Sequence, residues 1–98
     1  MKVVLHPGAE RDVAEAAAFY ASEASPALAG RFVAEIDRVA RLLLDNPGLG
    51  TRRSRDRRGF PMSGFPYTVI YKGTSDGIVI LVVKHDRRRP GHGAGRTP

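Results

Sequence analysis

The run Ile78–Val83, IVILVV, limits what this chain can fold into more than any other stretch. Six consecutive apolar residues, opened by Gly77 and closed by Lys84-His85, read as a strand apolar on both faces, which belongs in the middle of a sheet. The segment before it, GFPYTVIYK, alternates. Phe65, Tyr67, Val69 and Tyr71 share one face, and Thr68, Ile70 and Lys72 the other. GTSDG between the two is a turn cluster. Further upstream, TRRSRDRRG (51–59) is hydrophilic and reads as an edge strand or an ordered basic loop.

The first half of the chain has a different period. After a short apolar strand, Lys2–Leu5, the sequence HPGAERD marks a helix start, with Pro7 in the first turn and Glu10 and Asp12 at the positive end of the helix dipole. Ala9, Val13, Ala16, Ala17, Tyr20 and Ala24 then form a narrow, alanine-rich face that lets a second helix approach closely. That helix opens at Ser25-Pro26, cap and first position, and carries Leu28, Phe32, Ile36, Val39 and Leu43 at helical spacing. Pro47 ends it by biasing Asn46 away from helical geometry. The order is β-α-α-β-β-β, an α+β fold. An antiparallel helical hairpin, about residues 8–24 and 26–46, is expected to pack on one face of a small, largely antiparallel sheet. Leu28, Phe32, Ile36, Val39 and Leu43 are expected to be buried against Val69, Ile80 and Val82 or their neighbours. A single domain over residues 1–90, with 91–98 as a loose tail, suits a chain of 98 residues.

Composition narrows the function classes. Residues 1–50 hold five basic and seven acidic side chains, a net −2, whereas residues 51–98 hold eleven and three, a net +8. Such a basic half points to a polyanion or an acidic partner. No cysteine is present, so disulfides and thiolate metal sites are excluded, which also suits the cytoplasm. The three histidines show no metal-binding spacing, and neither metal nor cofactor is expected. No apolar run approaches the ~20 residues needed to span a bilayer, and MKVVLHPG is too short for a signal peptide, so no membrane association is expected.

Several stretches, taken in order, resemble the RelE/ParE superfamily of bacterial type II toxins. They are HPGAERDVAEAAAFYASEAS with its Phe19-Tyr20 pair, RFVAEIDRVARLLLDNPGLG, GFPYTVIYK, and IVILVVKHDRRRP, where the family typically shows His-x-Arg-Arg-x-Pro. Family members often carry Tyr-Trp two residues past that proline, where this chain has His92 and Gly93. The resemblance implies a growth-inhibiting toxin held in a hetero-oligomer by a cognate antitoxin that is acidic and partly disordered when free. Two targets follow from it: ribosome-bound mRNA, cut without a metal (RelE-like), or DNA gyrase, poisoned by docking (ParE-like). A non-toxic basic nucleic-acid-binding module, or a decayed toxin, is the alternative.

For RNA cleavage the candidate catalytic residues are His85, suited to proton transfer, and Arg87 and Arg88, suited to the charge that builds on phosphate oxygens. Arg52, Arg53, Arg55, Arg57, Arg58, Arg89 and His92 are candidates for nucleic-acid, antitoxin or other target contact. Each has a plainer alternative: His85 as a strand-end histidine bonded to backbone, and the arginines as solvated charge. Arginines at 52–58 also stand where some ribosome-dependent members have lysines. An arginine is a poor general base at neutral pH, which counts against the nuclease.

Overall fold

A computed structural model of the protein describes residues 1–88 and 91–98. The elements run β1 (Lys2–Leu5), α1 (Pro7–Glu23), α2 (Pro26–Asp45), β2 (Thr51–Arg52), β3 (Arg58–Pro61), β4 (Tyr67–Thr74) and β5 (Gly77–His85). Both helices start as their sequences dictate. His6 Nδ1 accepts from Gly8 N at 2.9 Å and Ser25 Oγ from Leu28 N at 3.1 Å, each followed by proline at the first helical position. Asn46 closes α2 by donating through its backbone and side-chain nitrogens to Leu42 O.

The sheet has five strands in the order β1-β5-β4-β3-β2, so the apolar run sits inside it, as its composition requires. β1 pairs parallel with β5, the helical hairpin lying on the connection between them, and the other pairs are antiparallel. The basic segment 51–59 differs from a single edge strand. It folds on itself, giving a two-residue edge strand, a turn with Arg55 and Asp56 at φ 61° and 59°, and then β3. This adds one strand to the expected order.

Phe32, Ile36, Val39 and Leu43 are buried from α2, Ala9 and Ala16 from α1, and Val69, Tyr71, Ile78, Ile80 and Val83 from the sheet. Leu28 is only half-buried, because it lies in the first turn of α2, at the margin of the sheet. Tyr20, Phe32, Phe65 and Tyr67 form an aromatic cluster with ring centroids 5.0 to 6.3 Å apart. Val82 does not join this core. Register shifts between Ile70 and Tyr71, which pair with Val82 and Ile80, so Leu81 is bulged. Beyond the bulge the alternation changes phase: Val83 faces the helices, and Val79, Leu81 and Val82 join Ile70 on the opposite face.

Residues 91–98, expected as a loose tail, return to that opposite face in two turns. Gly93, at φ 74°, lies so close to Val82 that a Cβ there would stand 2.5 Å from Val82 Cγ2. Tyr71 shows how tightly the other face is built. Its buried hydroxyl accepts from Gly50 N at 2.9 Å and donates to Pro47 O at 2.7 Å, tying the α2–β2 connection to the sheet. Tyr71→Phe leaves both groups unpartnered and is expected to cost about 1–3 kcal/mol in urea denaturation.

Candidate functional site

β5 delivers its last residue, His85, opposite Tyr67 of β4, with the two rings 5.1 Å apart and edge to face. The chain then turns rather than running on extended. Asp86 N donates to Pro66 O (2.9 Å), Arg88 N to His85 O (2.9 Å) and Arg87 N to His85 Nδ1 (3.1 Å). The Asp86 carboxylate accepts from Thr68 Oγ1 at 2.8 Å. This turn brings Arg88, not Arg87, into a groove of about 250 Å3 with His85, Tyr67, Phe19, Glu15 and Asp12. Arg87 is exposed beside it, and among the described residues neither guanidinium has an ion-pair partner. Arg89 lies outside the described residues.

Protonation follows from these contacts. Because Nδ1 of His85 accepts from Arg87 N–H, the neutral ring carries its proton on Nε2 and offers the groove a donor rather than a base. Burial, then the neighbouring Tyr20, pushes the Tyr67 hydroxyl pKa up, with the Arg88 cation opposing, so Tyr67 also stays protonated. The groove therefore presents two donors, an arginine and an exposed phenylalanine beside the Glu15 carboxylate. This mixture suits a protein surface better than a phosphodiester.

The five arginines of the 52–58 segment divide. Arg55 Nη1 donates to Ala94 O at 2.7 Å, Arg57 to Ala94 O at 3.1 Å and to Arg96 O, and Arg58 to Gly50 O at 2.9 Å. These three hold backbone, whereas Arg52 and Arg53 are exposed and bond to nothing through their guanidiniums among the described residues.

His92 is placed against Asp12, Nε2 to Oδ1 at 3.1 Å, and not against the His85 groove. Asp12 is the residue whose role sequence reasoning missed. Beyond its place near the positive end of the helix dipole, it is 9% exposed, takes Arg96 Nη1 at 2.6 Å and Val83 N at 3.0 Å, and completes the edge of β5 beyond the end of β1. Burial pushes its carboxyl up, but the bonds from Arg96, Val83 N–H and His92 outweigh it and hold the pKa below the usual carboxylate value. The signal was its phase: Asp12 lies three residues after Ala9 and four before Ala16, on the buried face of α1.

Residues 3–90 match a family model described as "ParE toxin of type II toxin-antitoxin system, parDE". Among solved structures, one described as the chromosomal ParDE TA system from P. aeruginosa superposes with a TM-score of 0.75 at 19% identity. The match covers 87% of this chain and 95% of that one, a likeness of fold. No curated protein matches the sequence. His92 and Arg96, which reach Asp12, lie beyond the residues that the family model covers.

Proposed function

The chain belongs to the family of ParE toxins of type II toxin–antitoxin systems, and from that premise we propose that it inhibits growth by docking on DNA gyrase through the surface at the end of β5. Arg87 and Arg88 supply the exposed cations of this surface, and His85, Tyr67 and Phe19 its rings. The observation that carries the reading is the state of His85. With Nδ1 occupied by Arg87 N–H, no base is poised for a 2′-hydroxyl, and Glu15 in the same groove repels a phosphate. A docking surface needs neither base nor acid.

A cognate antitoxin with an acidic, partly apolar segment neutralises the toxin in a hetero-oligomer. An apolar groove of about 580 Å3 lined by Val3, Leu5, Val13, Val33, Ile36 and Ala40 runs beside β1, an edge strand with one side open. Both features suit a segment that orders on binding. Because gyrase is a cytoplasmic target, this reading puts the toxin in the cytoplasm. Among the described residues, no helix is long and apolar enough to cross a membrane.

The test is to induce the protein, map mRNA ends and assay gyrase supercoiling in parallel. Inhibited supercoiling with intact messages is expected, with growth restored by co-expressing the product of the adjacent open reading frame. His85→Gln removes one ring contact and is expected to weaken inhibition by less than about tenfold, whereas a proton-transferring histidine would lose about 100-fold or more in rate. Ribosome-dependent cuts with normal supercoiling would select the nuclease instead. A protein harmless when expressed alone would remove the toxin assignment.

A further inference from the structure

The β2–β3 hairpin holds a buried cation without an anion. Arg57 is 8% exposed, and its guanidinium donates to the carbonyl oxygens of Ala94 and Arg96. Those bonds satisfy N–H groups but neutralise no charge, and among the described residues no carboxylate pairs with it. Burial first, and the neighbouring Arg55 second, hold its pKa below the usual guanidinium value. A buried charge left uncompensated is unfavourable, and a bound anion relieves it.

The surroundings concentrate the same sign. Arg52, Arg53, Arg57 and Arg58, with Asp56, line one concavity of about 200 Å3, so four arginines share its lining with one aspartate. The turn that brings them together holds Arg55 and Asp56 both in the left-handed region, an uncommon conformation for consecutive residues other than glycine.

We propose that this concavity is a phosphate-binding site that seats the phosphodiester backbone of a nucleic acid. Guanidinium forks match tetrahedral oxyanions and take two oxygens at once. A peptide partner fits less well, because protein interfaces are anchored by aromatic and aliphatic side chains and this lining has none. Linings that are wholly polar and strongly positive are the mark of nucleic-acid contact. Such contact positions the strand without choosing its sequence. The site shares no residue with the groove at the end of β5, so it goes beyond the gyrase reading and gives the toxin a second surface.

The experiment uses the full chain and no gyrase, so its failure leaves the docking reading untouched. A labelled short DNA duplex and a single-stranded RNA of equal length are titrated by anisotropy over a series of salt concentrations. Arg52→Gln/Arg53→Gln is expected to weaken binding about tenfold or more. It should also reduce the slope of log K against log salt by about 1.8 on duplex DNA, or about 1.4 on single-stranded RNA, for two lost phosphate contacts. Arg52→Lys/Arg53→Lys keeps the charge and is expected to keep the slope while failing to restore full affinity, since it loses the fork. Both positions are exposed, and the single Arg52→Gln variant carries about half the slope change if the double variant folds poorly. The stronger of the two titrations identifies the source of the phosphodiester as DNA or RNA. Absence of binding to either probe overturns the proposal, as does an unchanged slope in the hairpin variant. An equal loss in Arg87→Ala/Arg88→Ala also overturns it, showing bulk charge rather than a site. So does a hairpin variant that loses antitoxin binding while nucleic-acid binding is intact.

Discussion

Asp12→Ala is expected to lower the unfolding free energy by about 3–5 kcal/mol at neutral pH, the usual cost of removing one partner from a buried ion pair. Three groups lose their acceptor at once: the Arg96 guanidinium, the Val83 N–H and the His92 ring. For a domain whose total stability is about 5–15 kcal/mol, that loss is large. Acid sensitivity changes with it. The folded carboxyl has a pKa below its ordinary value, so its contribution is complete above the unfolded value of about 3.9 and disappears as pH falls through the folded one. Urea denaturation from neutral pH to below pH 3 should therefore show a steep acid limb in the native protein and a flatter one in Asp12→Asn. A loss under about 0.5 kcal/mol in the alanine variant, in the range of an ordinary surface change, would mean that the bonds are not held in solution.

The second large effect concerns activity. Arg87→Ala/Arg88→Ala is expected to abolish growth inhibition while leaving the thermal midpoint unchanged, since both side chains are exposed and neither supports the fold. Interface arginines at hot spots are worth about 2 kcal/mol or more each, so the pair removes roughly a thousandfold in target affinity. Induced growth and midpoint, measured on the same variant, separate a lost surface from a lost fold. Full toxicity in the double variant would remove this turn from the working surface.

Much of the fold is legible because local chemistry and global packing agree. Ser25-Pro26 and Pro7 place the helix starts, and the four-and-three spacing of Phe32, Ile36, Val39 and Leu43 gives the buried face of α2. The bulge at Leu81 was not legible, because a run apolar on both faces has no polar residue to mark a change of phase. Nor was the split of the basic segment, since neither Arg55 nor Asp56 is a residue type that announces two successive positive φ angles. At the candidate site, His85 and Arg88 share a groove because the chain turns after His85 and does not run on extended, a turn that nothing in HDRRR marks. Arg55, Arg57 and Arg58, candidates for target contact, also bond carbonyl oxygens of the chain itself. Composition cannot distinguish an arginine that faces solvent from one that ties down backbone. The bonds to Asp12 were hidden by distance along the chain, as Arg96 lies 84 residues from it.

The parallel pairing of β1 with β5 sets the order in which the molecule assembles. Lys2 meets Gly77, and Leu5 meets Ile80, so the first strand finds its neighbour only after both helices and the three intervening strands have been traversed. Helical hairpins form from contacts near in sequence, on microsecond scales, whereas pairings of high contact order have closure entropy to overcome first and fold more slowly. Gly77 adds a steric condition at the same junction. At φ 146° it sits directly against the Lys2 backbone, where any side chain would collide with the carbonyl oxygen. The arrival of β1 is therefore expected to be the slow step of folding. Until it arrives, the edge of β5 that Asp12 and Arg96 later complete is open, and the chain is most exposed to wrong pairing with another copy of itself.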